Sequence, residues 1–156
     1  MHIALSGWFW DRPDTGSGQY TRRLLHALCR LPGDVRYTLL LPPHITTVED
    51  LPPDVSVLRV SVPVGGQLGK VWFEQFAAPR AAHRIDADLL HVPYWAPPLT
   101  SPLPVVPTIH DVIALSLPVY RGGHLARLYT SLVATGARTA AHILTDSRAS
   151  RDEIVS

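Results

Sequence analysis

Two glycines, Gly16 and Gly18, lie on either side of Ser17, where a helical pattern begins near the N-terminus. Glycine lets a backbone come close to a ligand, and the first turn of a helix presents N–H groups that favour an anion. The spacing therefore indicates a place where a phosphate group can bind. A glycine turn that merely leads the chain into the helix explains the same residues.

A second pair of chemically capable residues, His110 and Asp111, ends the apolar segment "VVPTI". Polar side chains at the end of a buried strand cost stability unless they are paired or solvated. The pair is therefore a candidate for contact with a ligand. An aspartate that ties a loop beside an uninvolved histidine is the alternative.

Metal binding is not expected from the sequence. Adjacent residues on a strand point to opposite faces, so His110 and Asp111 would not chelate one ion while the strand continues. The acids Asp86 and Asp88 precede the apolar segment "LLHV", which predicts a solvated turn there. No His-x-x-x-His spacing occurs among the four histidines considered as ligands, which are His91, His110, His124 and His142.

Strands that alternate with helices must position these residues. Several of the strands are apolar on both faces, which favours a parallel sheet covered on both sides. The predicted fold class is α/β, a Rossmann-like doubly wound sheet with helices on both faces, where ligands bind at the carboxyl ends of the strands. The predicted strands are His2–Gly7, Val35–Pro43 and Val55–Pro63, with further ones beginning at Asp88, Pro104 and His142.

Three longer helices are predicted between these strands. The first runs from about Gly18 to Leu31, the second from Leu68 to Arg84 with a bend at Pro79, and the third from about His124 to Ala141. A fourth begins near Ser147. The apolar face of the first helix is assigned to Tyr20, Leu24, Leu28 and Leu31.

Composition narrows the function classes. A net charge of +1 over 156 residues gives no electrostatic case for nucleic-acid binding. The single cysteine, Cys29, excludes an internal disulfide, and neither a secretory pattern nor a bilayer-spanning apolar run is present. We therefore expect a soluble, cytoplasmic domain.

The glycine stretch does not match the common nucleotide-binding patterns. The dinucleotide pattern needs a third glycine and an acid after the second strand, but Gln19, Tyr20 and Thr21 follow Gly18, and that strand ends "LLLPPH". No Gly-Lys-Ser/Thr is present for a P-loop. The missing acid also argues against another Rossmann-like enzyme, such as a nucleotide-sugar epimerase.

Taken in order, the segments resemble the N-terminal domain of a retaining glycosyltransferase of the GT-B fold, in the large family 4. The resemblance runs from His2 to Ile154, and it depends on the order and strand-end placement of individually weak motifs. Those motifs are "TGSGQYTRRLLHAL", "WFEQFAAP", "DLLHVPYWAPP", "VVPTIHDVIAL" and "AAHILTDSRASRDEI".

The resemblance implies roles for particular residues. It places His110 near the transferred sugar as the catalytic candidate, with Asp111 as its companion. It assigns the donor diphosphate and sugar to Gly16, Ser17, Gly18, Asp111, Thr145 and Ser147. Asp146 stands where the family pattern leads us to expect a small apolar residue. Aromatic side chains suit the faces of sugars, although core packing is an alternative for each. The acceptor-side candidates are Trp8, Trp10, Tyr94 and Trp95.

The resemblance also implies an activity and partners. Residues 1–156 would form the acceptor-side domain, and the nucleotide-sugar domain would be absent from this chain. The enzyme would transfer a hexose with retention from a nucleotide-sugar donor to a glycan or lipid-linked acceptor, without a metal or other cofactor. The alternative is a non-catalytic binding or scaffolding domain. Aromatic and basic residues between Leu68 and Arg84 suggest a peripheral contact with the inner face of a membrane, with core packing again the alternative.

Overall fold

The computed structural model describes residues 1–111 and 124–155. The end of the predicted segment "VVPTIHDVIAL", residues 112–115, lies outside them. The strands are β1 (His2–Ser6), β2 (Arg36–Leu41), β3 (Val55–Arg59), β4 (Leu89–Val92) and β5 (Val105–Pro107). The helices are α1 (Gly16–Cys29), α2 (Gly66–Trp72), α3 (Ala78–Arg84), α4 (His124–Arg138) and α5 (Arg148–Val155), with a π-helical segment (Phe73–Ala77) between α2 and α3.

The five strands form one parallel sheet in the order β3-β2-β1-β4-β5. The chain builds outward from β1 through β2 to β3, and then returns to place β4 on the other side of β1. This reversal makes the carboxyl ends of β1 and β4 the switch point of the sheet, where open α/β sheets bind ligands. The predicted α/β Rossmann-like class is confirmed.

Apolar side chains on alternate positions of the strands fill a core on each face of the sheet. Ala4 packs in the core beneath α3 with Phe73 and Leu90, whereas Leu5 packs in the core beneath α1 with Leu25. This alternation follows from the two-residue period of a strand. Both faces are therefore covered, as the apolar strands predict.

The predicted face of α1 is only partly correct. Leu28 packs against the core, but the buried side chains of the helix are Thr21 and Leu25, while Leu31 lies beyond the helix and is 63% exposed. The helix also begins two residues earlier than predicted, because Thr15 caps it and its hydroxyl accepts the Gly18 N–H at 3.2 Å. That earlier start places the first turn on Gly16 and Ser17.

The predicted helix Leu68–Arg84 is interrupted by the π-helical segment Phe73–Ala77. The bend was expected at Pro79, two residues after this segment ends. Pro79 has no N–H to donate to the preceding turn and would crowd the carbonyl four residues earlier, so a wider turn just before it is physically reasonable. The wider turn directs Phe73, Glu74 and Gln75 inward.

Two other predicted elements are shorter than expected. The strand predicted from His142 is a single parallel bridge between Thr108 and Leu144, and β3 ends at Arg59. The bridge still matters, because it sets residues 109–110 beside residues 145–146 at the carboxyl edge of the sheet.

Candidate functional site

The glycine stretch begins α1 next to the sheet edge, and its two glycines differ in surroundings. Gly16 is exposed, and a Cβ added there would meet no atom within 4 Å. At Gly18, which is buried, a Cβ would lie 2.0 Å from the carbonyl oxygen of Arg12 and 2.8 Å from that of Phe9. Gly18 is therefore required by close packing of the backbone, whereas Gly16 leaves open space in front of the helix.

The N–H groups of the first turn of α1 also differ in whether they already donate a hydrogen bond. The Gly18 N–H donates to the Thr15 hydroxyl, and the Gln19 N–H donates to the Thr15 carbonyl oxygen. Within the part of the chain that the structure describes, no group accepts from the amides of Gly16 and Ser17. These two amides are the ones that can bind an anion.

His110 lies beside the first turn of α1 because Tyr20 bridges the two. The rings of Tyr20 and His110 meet edge to face with centroids 4.6 Å apart. The Tyr20 hydroxyl is 3.2 Å from the Thr108 hydroxyl, two residues before His110. The structure thus brings the glycine stretch and His110 to one edge of the sheet.

The acid partner of His110 is Asp146, which the sequence suggested only as a departure from the family pattern. Nδ1 of His110 donates to Oδ2 of Asp146 at 3.0 Å. Asp111, the neighbour in sequence, is exposed and makes other contacts. Nε2 of His110 is shielded from water and has no hydrogen-bond partner among the described residues.

The start of α5 holds the backbone of this histidine. The Ser147 hydroxyl accepts the Ser150 N–H at 3.0 Å, which caps the helix, and it donates to the Ser150 hydroxyl. The Ser150 hydroxyl donates to the carbonyl oxygen of His110 at 2.9 Å. Ser147 therefore supports His110 through the cap and through Ser150.

Thr145, assigned to donor binding from the resemblance, faces elsewhere. It lines a groove of about 660 Å³ between α4 and α5, together with Ile109 and Trp95. His110 is not among the residues that line this groove. The structure thus separates Thr145 from the cluster around His110.

A buried histidine on β4 extends the polar contacts inward. Burial lowers the pKa of His91 to about 4, against a smaller opposing effect of a hydrogen bond with the Val106 backbone. His91 is therefore neutral near pH 7, and its Nε2 lies 3.5 Å from the Thr108 hydroxyl. The chain of contacts Tyr20–Thr108–His91 ties α1 to the middle of the sheet.

Two of the four aromatic candidates are buried. Trp10 has no exposed surface and donates from Nε1 to the Glu49 carbonyl oxygen at 3.2 Å. Tyr94 is 3% exposed, and its hydroxyl lies 2.5 Å from that of Ser6 across the switch point. Trp8 and Trp95 are half-buried, and they alone of the four present ring surface to solvent.

A buried ion pair at the same switch point was not predicted. Nζ of Lys70 lies 2.5 Å from the carboxylate of Glu74, whose side chain has no exposed surface. Nζ is also 5.7 Å from the ring centre of Phe9 and 5.9 Å from that of Tyr94. The spacing of a lysine and a glutamate four residues apart was the signal in the sequence, but only the π-helical turn explains why the pair is buried.

The described residues contain neither a metal cluster nor a membrane span. Among residues 1–111 and 124–155, no three His, Cys, Asp or Glu side chains gather as a metal site would require. None of the described helices is long and apolar enough to cross a bilayer. Asp86 and Asp88 are exposed at the amino end of β4, where Asp88 accepts the His2 N–H at 2.6 Å, as a turn predicts.

The chain is similar in fold to the UDP-GlcNAc 2-epimerase from Methanocaldococcus jannaschii. The TM-score is 0.57 at 9% sequence identity, and the match covers 99% of this chain and 41% of the epimerase. This chain thus spans about two fifths of that protein, and at such low identity the likeness concerns the fold alone. In sequence, no curated protein matches the chain.

Residues 15–156 match the model of a family described as Glycosyltransferase Family 4. The match begins at the cap of α1 and includes both His110 and Asp146. It agrees with the five-stranded parallel sheet and with the fold of one Rossmann-like half of a GT-B-like protein. The chain therefore belongs to glycosyltransferase family 4.

Proposed function

We propose that this chain is the acceptor-side domain of a retaining glycosyltransferase that moves a hexose from a nucleotide sugar to a glycan or lipid-linked acceptor. The observation that carries the proposal is that α1, the helix whose first turn holds the two open amides of Gly16 and Ser17, also carries Tyr20, whose ring contacts His110 at the sheet edge of a family 4 chain. A second domain that holds most of the nucleotide is part of the proposal.

The chemistry of the first turn suits the leaving group. Negative charge develops on the nucleoside diphosphate as the glycosidic bond breaks. Fixed N–H dipoles at a helix start stabilise such charge without reorganising. Gly16 adds open space for the phosphate, so in this proposal the reaction needs no metal ion to neutralise the departing group.

His110 acts on the transferred sugar in this proposal. A neutral imidazole offers one hydrogen bond from each ring nitrogen, and one of the two is already used by Asp146. The free nitrogen binds a sugar hydroxyl and holds the ring in place as the anomeric carbon gains positive charge. We assign no protein base, because the leaving phosphate itself takes the proton of the acceptor hydroxyl.

The acceptor side is assigned to half-buried aromatic rings. Trp8 packs against Phe73 at 5.2 Å and keeps part of its surface open, and Trp95 lies just after β4. Flat apolar rings of this kind suit the C–H faces of sugars. Trp10 and Tyr94 contribute from the core by fixing the loops that carry these rings.

A peripheral contact with an anionic membrane surface is a further part of the proposal. Leu68, Trp72 and Phe76 recur every four residues and are 74%, 40% and 42% exposed. Arg80 continues this row and lies 5.5 Å from the Phe76 ring centre. Glu74 faces inward, so its charge does not oppose an anionic surface. Lys70 and Phe73 also face the core and do not belong to this row.

We expect the chain to float with anionic vesicles at low salt and the double variant Trp72→Ser/Phe76→Ser to stay in solution. Aromatic rings and basic side chains on one helical face bind the interface of an anionic bilayer. Leu31→Ser is the matched control, because Leu31 is an exposed apolar residue elsewhere on the chain. Failure of the unmodified chain to co-float would remove this contact from the proposal.

The experiment that tests the function itself is a transfer assay with the full-length protein. A panel of UDP- and GDP-hexoses is offered with alkyl glycosides as acceptors, and release of the nucleoside diphosphate is measured. Release that depends on the acceptor supports an enzyme. Binding of a saccharide without any turnover favours a non-catalytic binding domain instead.

A further inference from the structure

We infer that Asp146 is the positioning residue for His110, and that it makes Nε2 of this histidine a hydrogen-bond acceptor for a hydroxyl of the bound sugar. The inference rests on the proposed function for the identity of the ligand. Its first step, the presence of a proton on Nδ1 of the ring, rests only on geometry.

The geometry fixes which nitrogen carries the proton. An aspartate carboxylate only accepts hydrogen bonds, so the 3.0 Å contact with Oδ2 of Asp146 requires a proton on Nδ1. In the neutral ring the other nitrogen, Nε2, then has a lone pair and no proton. A carboxylate on Nδ1 is a common way in which proteins select a histidine tautomer.

Three further contacts keep the ring in this orientation. Tyr20 packs edge-to-face against it, and Ser150 holds the His110 backbone through its carbonyl oxygen. The parallel bridge between Thr108 and Leu144 sets His110 and Asp146 side by side in register. The His110–Asp146 pair is therefore built from two extended segments and anchored by two helices, so its orientation does not depend on a single loop.

The surroundings of Nε2 of His110 indicate that a hydrogen-bond partner is missing. Native proteins rarely leave a shielded ring nitrogen without a hydrogen bond, yet none of the described residues supplies one here. The side chain as a whole is 29% exposed, so the histidine lies at the surface of the sheet edge and not deep in the core. A lone pair at this place suits a group that donates.

The lone pair on Nε2 also determines which kind of ligand atom His110 can bind. A sugar hydroxyl donates to it, whereas an ionised phosphate oxygen has no proton to give. His110 is therefore assigned to the sugar and not to the diphosphate. The phosphate is left to the amides of Gly16 and Ser17, which only donate.

The tautomer can be measured on the protein without any substrate. Long-range ¹H–¹⁵N correlation spectra of ¹⁵N-histidine-labelled protein distinguish a protonated Nδ1 from a protonated Nε2. We expect the Nδ1–H form in the unmodified protein and a shift towards the Nε2–H form in Asp146→Ala. The control is Asp152→Asn, which removes an exposed carboxylate on α5 that pairs with Arg151. An Nε2–H form in the unmodified protein, or no change in Asp146→Ala, overturns the assignment.

Activity of the full-length protein provides the second readout. Asp146→Ala should lower kcat about fivefold or more with little change in the KM for the nucleotide sugar, and Asp146→Glu, which keeps a carboxylate, should restore part of it. An unchanged kcat contradicts the positioning role. If the unmodified protein transfers no sugar, the proposed function fails, while the tautomer spectra still decide whether Asp146 sets the state of His110.

Discussion

Gly18→Ala is expected to destabilise the protein by about 3 kcal/mol, while Gly16→Val leaves the fold intact and weakens donor binding. The alanine methyl would overlap the backbone carbonyls of Arg12 and Phe9, which cannot rotate away as a side chain would. For a chain of this size, that loss lowers Tm by roughly 6–12 °C. Thermal melting followed by circular dichroism measures it.

Comparison of the two glycine variants separates the close backbone packing at Gly18 from the approach of a ligand at Gly16. A valine at Gly16 projects into open space in front of the helix, so its effect should appear in the donor KM, raised about tenfold or about 1.4 kcal/mol. The matched control is Gly65→Val, because Gly65 also stands in open space at the start of a helix, α2. An unchanged donor KM in Gly16→Val would mean that the glycine stretch is only a turn.

His110→Ala is expected to lower kcat at least tenfold, about 1.4 kcal/mol, with little change in the donor KM. The hydrogen bond from the sugar hydroxyl gains importance as the ring flattens in the transition state, so its loss falls on turnover more than on binding. Steady-state kinetics of the full-length protein give both constants. His83→Ala, an exposed histidine at the end of α3, is the control.

The opposite result has a clear meaning. If His110→Ala keeps both its kcat and its donor KM, the histidine is a structural residue at a strand end that Asp146 and Ser150 hold in place. If kcat is kept and the donor KM rises, His110 binds the ground state and the transition state equally. Either outcome contradicts the role proposed for it.

The sheet could be predicted from the sequence because its signals are local. The run Leu39–Leu41 is apolar on both faces, which indicates a strand covered on both sides, and β2 lies at that place with those side chains buried. Prolines and glycines also marked the ends of most elements. Parallel strands separated by helices leave few other arrangements.

The side-chain partners could not be predicted because they depend on register and on backbone contacts between distant segments. Asp146 meets His110 only because the bridge at Thr108 and Leu144 aligns residues 36 positions apart. Adjacency in sequence pointed to Asp111 instead. Gly16 and Gly18 look alike in the sequence, and only the turn at Arg12 separates their roles.

The residues of the region Leu68–Arg84 that face the core could not be predicted for a similar reason. The sequence pattern suggests one amphipathic helix that carries its aromatic and basic residues. The π-helical segment rotates Glu74 into the core against Lys70 and leaves Trp72 and Phe76 outside. One extra residue in a helical turn changes which side chains face water, and the sequence pattern alone does not reveal it.

The most direct test of the account is the configuration of the product formed by the full-length protein in the presence of EDTA. With a matching nucleotide sugar and acceptor, the account predicts nucleoside diphosphate release, and NMR of the product should show the anomeric configuration of the donor. His110→Ala should slow the same reaction. Inversion at the anomeric carbon, or turnover that disappears when EDTA removes divalent metal ions, would contradict it.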